Sequence, residues 1–234
     1  YQAFGFDTLF MSAAFITCIA FIMITIATET LEKREKINAK HLRITWKDVF
    51  EPNVLPAAFV MYLTAICSGI IFVITPDISG MLHIENKGFF FGFYVISTIL
   101  IRLLTSSVSD RIGRPQTLLI GVSILIVSMV LIATVQSTNT YIFAAIVFGF
   151  ATGISSPTLF AWTADLSHKD RRGVGAGTLF LALEFGIISG SIITLFVYDN
   201  TPKGAFYAFM IGAFCALLAL VLLIFQVRKA RISA

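Results

Sequence analysis

A chain of 234 residues with 57% hydrophobic and only 13% charged side chains lacks the polar surface of a soluble domain, where about a quarter of residues are charged. With 23 phenylalanines it reads as an integral membrane protein. The formal charge of +4 reflects where loop lysines and arginines fall, so no nucleic-acid partner is expected.

Seven apolar runs of about 20 residues, at 8–28, 54–75, 89–109, 117–136, 141–164, 174–198 and 205–226, each suffice to cross a hydrocarbon core of about 30 Å. The runs are continuous and lack two-residue alternation, which excludes barrel strands. The expected fold class is therefore an all-α membrane protein with seven transmembrane helices.

The first run follows Tyr1 almost directly, with no initiator methionine or signal peptide, and the front of a longer protein is expected to be missing. A polar stretch at 29–53 then separates this helix from the other six and marks a domain boundary. Within it Leu42, Trp46, Val49 and Phe50 recur at helical spacing, which fits either a short amphipathic helix on the membrane face or a solvated loop.

Gly69 and Pro76 flank the outer part of the second run, and a loop with Asp77, His83 and Glu85 follows. The third run contains Tyr94 and Arg102 and ends in the polar turn SDRIGRPQ at 109–116. Asp110 there sits where a helix macrodipole is already negative, so it requires cations. Arg111 and Arg114 supply them, Gly113 permits a left-handed turn, and Pro115 suits the first turn of the next helix. The fifth run holds Gly149, Gly153 and Pro157 and ends on a second acid, Asp165, with SHKDRRG at 167–173 on the same membrane side. Together these groups are expected to form one ionic network.

Basic residues set the orientation. Fourteen lie on one side: Lys33, Arg34, Lys36, Lys40, Arg43 and Lys47, then Arg111 and Arg114, then Lys169, Arg171 and Arg172, and finally Arg228, Lys229 and Arg231. Only Lys87 and Lys203 lie on the other, so the clustered side is expected to be cytoplasmic, with the N-terminus outside and the C-terminus inside.

The segment RLLTSSVSDRIGRP resembles the loop signature of the major facilitator superfamily, an arginine followed by a Gly-x-Leu-x-Asp-Arg-x-Gly-Arg run. Arg102, Asp110, Arg111, Gly113 and Arg114 match it, while Ser106 replaces the glycine and Val108 the leucine. The stretch ADLSHKDRRGVGAGTLFLALEFGIISGS is also similar to that family, with Gly177, Gly186 and Gly190 in familiar places. The resemblance implies that residues 1–28 are the last helix of an N-terminal half, 29–53 a cytoplasmic linker and 54–234 the C-terminal six-helix bundle. It further implies a conformational latch at Asp110, tuned by Arg111 and Arg114 through the turn at Gly113, with Asp165 as their partner.

Two ionisable groups lie deep in the spans. Glu184 is about 18 Å along its helix from Arg172, and Arg102 about 12 Å from Asp110. Their helices run in opposite directions and their side chains lean towards a common depth, so they are expected to pair with each other or with groups elsewhere. Glu184 then acts either as a proton-coupling acid or as a structural salt-bridge partner. By the resemblance, the second and fifth helices line a central cavity, which makes Tyr62, Thr64, Ser155, Ser156, Thr158 and Trp162, with Tyr94, candidates for substrate contact. Serine and threonine also commonly bond their own helix backbone, which leaves a structural role open for each.

Other classes fit less well. The last span lacks the lysine of a retinal protein. His41, His83 and His168 lie in loops, so no intramembrane protease dyad forms and no catalytic residue is assigned. Cys18, Cys67 and Cys215 fall in apolar spans and indicate no metal site, and no cofactor is expected. The expected function is a secondary transporter in a bacterial inner membrane, whose partners are a small-molecule substrate, a proton, the lipid bilayer and the missing N-terminal half. Proton-coupled antiport, in the form of efflux of a drug-like compound or small metabolite, is the first reading. A symporter importing a sugar or organic anion is the alternative, as is a non-transporting receptor or scaffold.

Overall fold

The computed structural model describes residues 5–26, 49–105 and 108–232; Leu42 and Trp46 of the expected amphipathic stretch, and Ser106 of the signature loop, lie outside them. The chain divides into two units, residues 1–43 and 44–234. The first contains α1 (Gly5–Ile26), whose 22 residues span about 33 Å.

The second unit holds α2 (Leu55–Met81), α3 (Phe89–Thr105), α4 (Arg114–Ala133), α5 (Thr138–Leu166), α6 (Arg172–Val197) and α7 (Pro202–Ile232). Short helical segments at Pro52–Val54, Val108–Ile112 and Lys169–Arg171 lie between or before them. No strand occurs among the described residues. Six of the seven long helices are apolar and long enough to cross a membrane, whereas α3, expected over 89–109, is an apolar helix of 17 residues. The short helix Val108–Ile112 carries the chain onward from it.

Local chemistry sets the ends of these elements. Gly113 has φ +95°, a conformation open to a residue without Cβ, and it turns the chain into α4, whose early Pro115 leaves no amide unpaired. Ser137 caps α5 in a reciprocal box with Thr140. The sequence places the end of the second helix before Pro76, but α2 runs through this residue to Met81. The buried hydroxyl of Tyr141 on α5 donates to Thr75 O at 2.7 Å and lies 2.9 Å from Ser79 Oγ. These bonds tie the stretch of α2 around Pro76 to α5.

Packing follows a repeated scheme. Helix α2 lies along α6 and α7, α4 along α5 and α7, and α3 along α5. Exchanging α2, α3 and α4 with α5, α6 and α7 leaves this pattern unchanged, as expected of two inverted three-helix repeats. The two seams that involve α3 and α6 are built on glycine. Cβ atoms at Gly69, Gly186 and Gly190 would strike the backbone carbonyls of Ile187, Tyr62 and Ile66, and ones at Gly149 and Gly153 would meet those of Tyr94 and Thr98. Close backbone approach provides the van der Waals contact that holds helices together where lipid removes the hydrophobic drive between them. Two buried apolar clusters fill the bundle, one around Ile70, Phe90, Met129, Phe148 and Phe209, and a second around Val54, Leu118, Leu159, Trp162 and Leu179.

Candidate functional site: a central cavity above two ionic networks

Both expected acids of the signature network meet one cation. Arg114, at the first residue of α4, donates from Nε to Asp165 Oδ2 at 3.0 Å, forms an ion pair with Asp110 through Nη1, and donates from Nη1 to Ser109 Oγ at 2.7 Å. The planar guanidinium reaches three partners in different directions, which a lysine cannot do. Arg111 is exposed and forms no ion pair with either acid among the described residues. Asp110 and Asp165 remain more than half exposed, so each contact is worth little alone.

A second network was not foreseen. Glu51, just ahead of α2, has a side chain only 3% exposed, and Arg171 Nη1 lies 3.0 Å from its Oε2. This approach is Coulombic, off the direction of a hydrogen bond. Asn53 Nδ2 donates to Glu51 Oε1 at 3.0 Å, the amide of Glu51 donates to Thr178 Oγ1 at 3.0 Å, and Arg171 Nη2 donates to Phe50 O at 3.3 Å. These contacts tie the entry of α2 to the start of α6. In the sequence Glu51 is one acid in a mixed-charge stretch, and nothing there reveals its burial.

A cavity of about 260 Å³ opens among α2, α3, α4, α5 and α6. Thr64, Tyr94, Ser155, Ser156 and Arg102 line it, as do Ser68, Phe72, Thr152 and Phe160, which were not singled out in the sequence. Thr64 and Thr152 donate to their own helix carbonyls at Val60 and Phe148. Ser155 differs: it is 6% exposed, and its Oγ has no hydrogen-bond partner among the described residues. Gly121 of α4 makes room for that oxygen, since a Cβ there would collide with it. Arg102 also borders a second cavity of about 480 Å³, with Thr105, Ser109, Asp110, Arg114 and Thr158. It therefore stands between the central cavity and the signature network.

The remaining candidates lie elsewhere. Tyr62 lines an apolar groove between α2 and α6, and its hydroxyl lies 3.1 Å from Ser189 Oγ. Ser189 already donates to Phe185 O, so Tyr62 is the donor across this seam. Trp162 is buried in the second apolar cluster. Thr158 lines the second cavity and donates to Ile154 O at 2.7 Å. Glu184 is exposed on α6, next to Leu183, which lines the central cavity, but does not line it itself. No ion pair joins it to Arg102 among the described residues.

The family model of the Major Facilitator Superfamily matches residues 82–234, more than half of the chain. The chain belongs to the Major Facilitator Superfamily. Curated relatives within it include an "Uncharacterized MFS-type transporter EfpA" of Mycobacterium tuberculosis, 26% identical over 152 residues, which cover 62% of this chain and 29% of the relative. "Multidrug resistance protein 1" of Bacillus subtilis is 24% identical over 171 residues, 72% of this chain and 43% of that protein. The chain thus spans less than half the length of these superfamily relatives.

Proposed function

We propose that the chain forms the C-terminal six-helix half, with the preceding helix and linker, of a secondary transporter that exports a drug-like compound or small metabolite by alternating access coupled to protons. The observation that carries this reading is the central cavity, bounded at one end by Arg102, which lines a second cavity together with Asp110 and Arg114 of the Asp110–Arg114–Asp165 network. Such an arrangement joins a binding chamber to an ionic cluster able to favour one of two bundle arrangements. The relatives' names, one of them a multidrug resistance protein, support efflux.

In this reading the basic end faces the cytoplasm of a bacterium and Asp110 latches the bundle to the other half. Glu184 is the coupling acid: it is a carboxyl within a membrane span, the kind of group that marks proton pathways. The test uses inverted membrane vesicles that carry the full-length transporter, acidified inside and loaded with a pH-sensitive dye. Adding a transported compound is expected to release the acid gradient and to raise the compound's internal concentration. A drug-like panel that never disturbs the gradient, with the protein present and folded, overturns the proposal.

A further inference from the structure

We infer that the central cavity selects anionic amphiphiles, molecules with an apolar or aromatic body and a carboxylate head, rather than the organic cations a membrane potential would concentrate in a cell. The inference rests on the transporter reading for its biological meaning, but its argument lies in the cavity itself. Among the described residues that line the chamber, Arg102 is the one charged side chain. A guanidinium keeps its proton in any protein environment and offers a planar fork that matches a carboxylate. Arg102 makes no hydrogen bond or ion pair among the described residues, so its charge is not already spent on a protein acid.

The second observation is the Ser155 hydroxyl. It is buried, lines the same chamber and has no partner among the described residues, although buried polar atoms are nearly always bonded. Thr64 and Thr152 satisfy themselves on their own helices, whereas the Ser155 hydroxyl, seated against Gly121 of α4, donates to a ligand oxygen by rotating from that seam to the chamber. Aromatic side chains line both ends, and Phe160, six residues before the end of α5, stands on the basic side with Arg102. Tyr94 lies eight residues before Arg102 on the same helix, about 12 Å along its axis, and Phe72 is near the corresponding end of α2. The chamber is thus cationic at one end only, with aromatic side chains along its length. A ligand with an acid head and an aromatic body fits that lining, whereas an ammonium head would meet the positive charge of Arg102, whose side chain is exposed.

The experiment measures binding of three probes that share one body, 6-phenylhexanoate, 6-phenylhexanamide and 6-phenylhexylammonium, to purified full-length transporter by titration calorimetry. The acid is expected to bind about tenfold or more tightly than the amide, as for one charge-assisted contact, and the ammonium weakest. Arg102→Gln is expected to bring acid and amide to within about twofold of each other, with an unchanged melting temperature in detergent reporting that the protein is folded. Arg102→Lys is expected to retain part of the preference, and Ser155→Ala to weaken the acid by about threefold or more. Ammonium binding equal to or tighter than that of the acid, an acid preference that survives Arg102→Gln, or no binding of any probe overturns the inference. Proton-linked flux of some other cargo would then leave the transporter reading standing, while acid-selective binding without flux would sink the transporter reading and leave the selectivity intact.

Discussion

Arg114 holds Asp110, four residues before it, and Asp165, at the end of another helix, on a single guanidinium, with Nε 3.0 Å from Asp165 Oδ2. One side chain therefore fixes the short helix Val108–Ile112, the start of α4 and the end of α5 to one another. Because both acids are exposed, Arg114→Gln is expected to lower stability by only about 1 kcal/mol or less per lost pair. The larger effect falls on conformation. Labelling of a Thr105→Cys variant in the second cavity by a membrane-impermeant maleimide is expected to rise several-fold when Arg114→Gln is added. Unchanged labelling would show that the network holds nothing closed.

The Glu51 contact predicts a different balance. Its carboxylate is buried while Arg171 keeps 36% of its surface exposed, so Glu51→Ala is expected to destabilise the protein by about 1–3 kcal/mol, less than for a fully buried pair. Thermal unfolding in detergent measures it. Glu51→Gln, which keeps the acceptor for Asn53, is expected to lose less than the alanine variant; equal losses would assign the effect to packing alone.

Two glycines on α6 separate close packing from simple helix propensity. A methyl group at Gly190 would strike Ile66 O, whereas Gly177 has open space around its would-be Cβ. Gly190→Ala is expected to destabilise by about 1–3 kcal/mol through overpacking. Gly177→Ala is expected to be neutral or to stabilise by up to about 1 kcal/mol. Melting temperatures in detergent that move in the same direction for both would contradict the assignment of the α2–α6 seam.

Outside the spans, Asp199 supplies a pH dependence. Bonds from the Thr201 hydroxyl and amide, assisted by Lys203, hold its carboxyl below the usual range. Because the folded value is the lower one, the contribution is present above the ordinary carboxylate pKa and is lost as pH falls through the folded value. The melting difference between parent and Asp199→Ala is therefore expected to be larger at pH 7 than at strongly acid pH. Thr201 in turn accepts from Gly204 N at 3.1 Å at the start of α7, and Thr201→Ala, which removes this cap together with the hydroxyl bond to Asp199, is expected to cost about 1 kcal/mol at neutral pH and less at strongly acid pH.

The seven apolar runs were legible in the sequence because spanning a bilayer demands length and apolarity, and both can be counted. Helix ends were less so. The second apolar run ends at 75, yet α2 continues through Pro76 to Met81. The start of α4 fell at Arg114 rather than 117 because Gly113 and Pro115 turn directly into it. At the site, Asp110, Arg114 and Asp165 stood out as charges at helix ends, where electrostatics leaves a local signature. Neither the burial of Glu51 nor the unpartnered state of Ser155 has such a signature. A hydroxyl among apolar residues looks alike whether it bonds its own helix, as Thr158 does, or sits unpartnered against a glycine of the next helix, as Ser155 does among the described residues. Nor does hydropathy show which face of a uniformly apolar helix looks inward, so Tyr62 and Trp162 read as cavity residues until the packing placed them in a seam and a core.

Proton coupling through Glu184 is the central claim, and one substitution isolates it. Glu184→Gln keeps size and hydrogen bonding but cannot ionise, and no ion pair to Arg102 is lost with it among the described residues. In proteoliposomes of the full-length transporter, the variant is expected to bind cargo and exchange it across the membrane at close to the parent rate, yet to fail to accumulate it when a pH difference is imposed. Undiminished pH-driven accumulation by a well-folded Glu184→Gln protein would contradict the account.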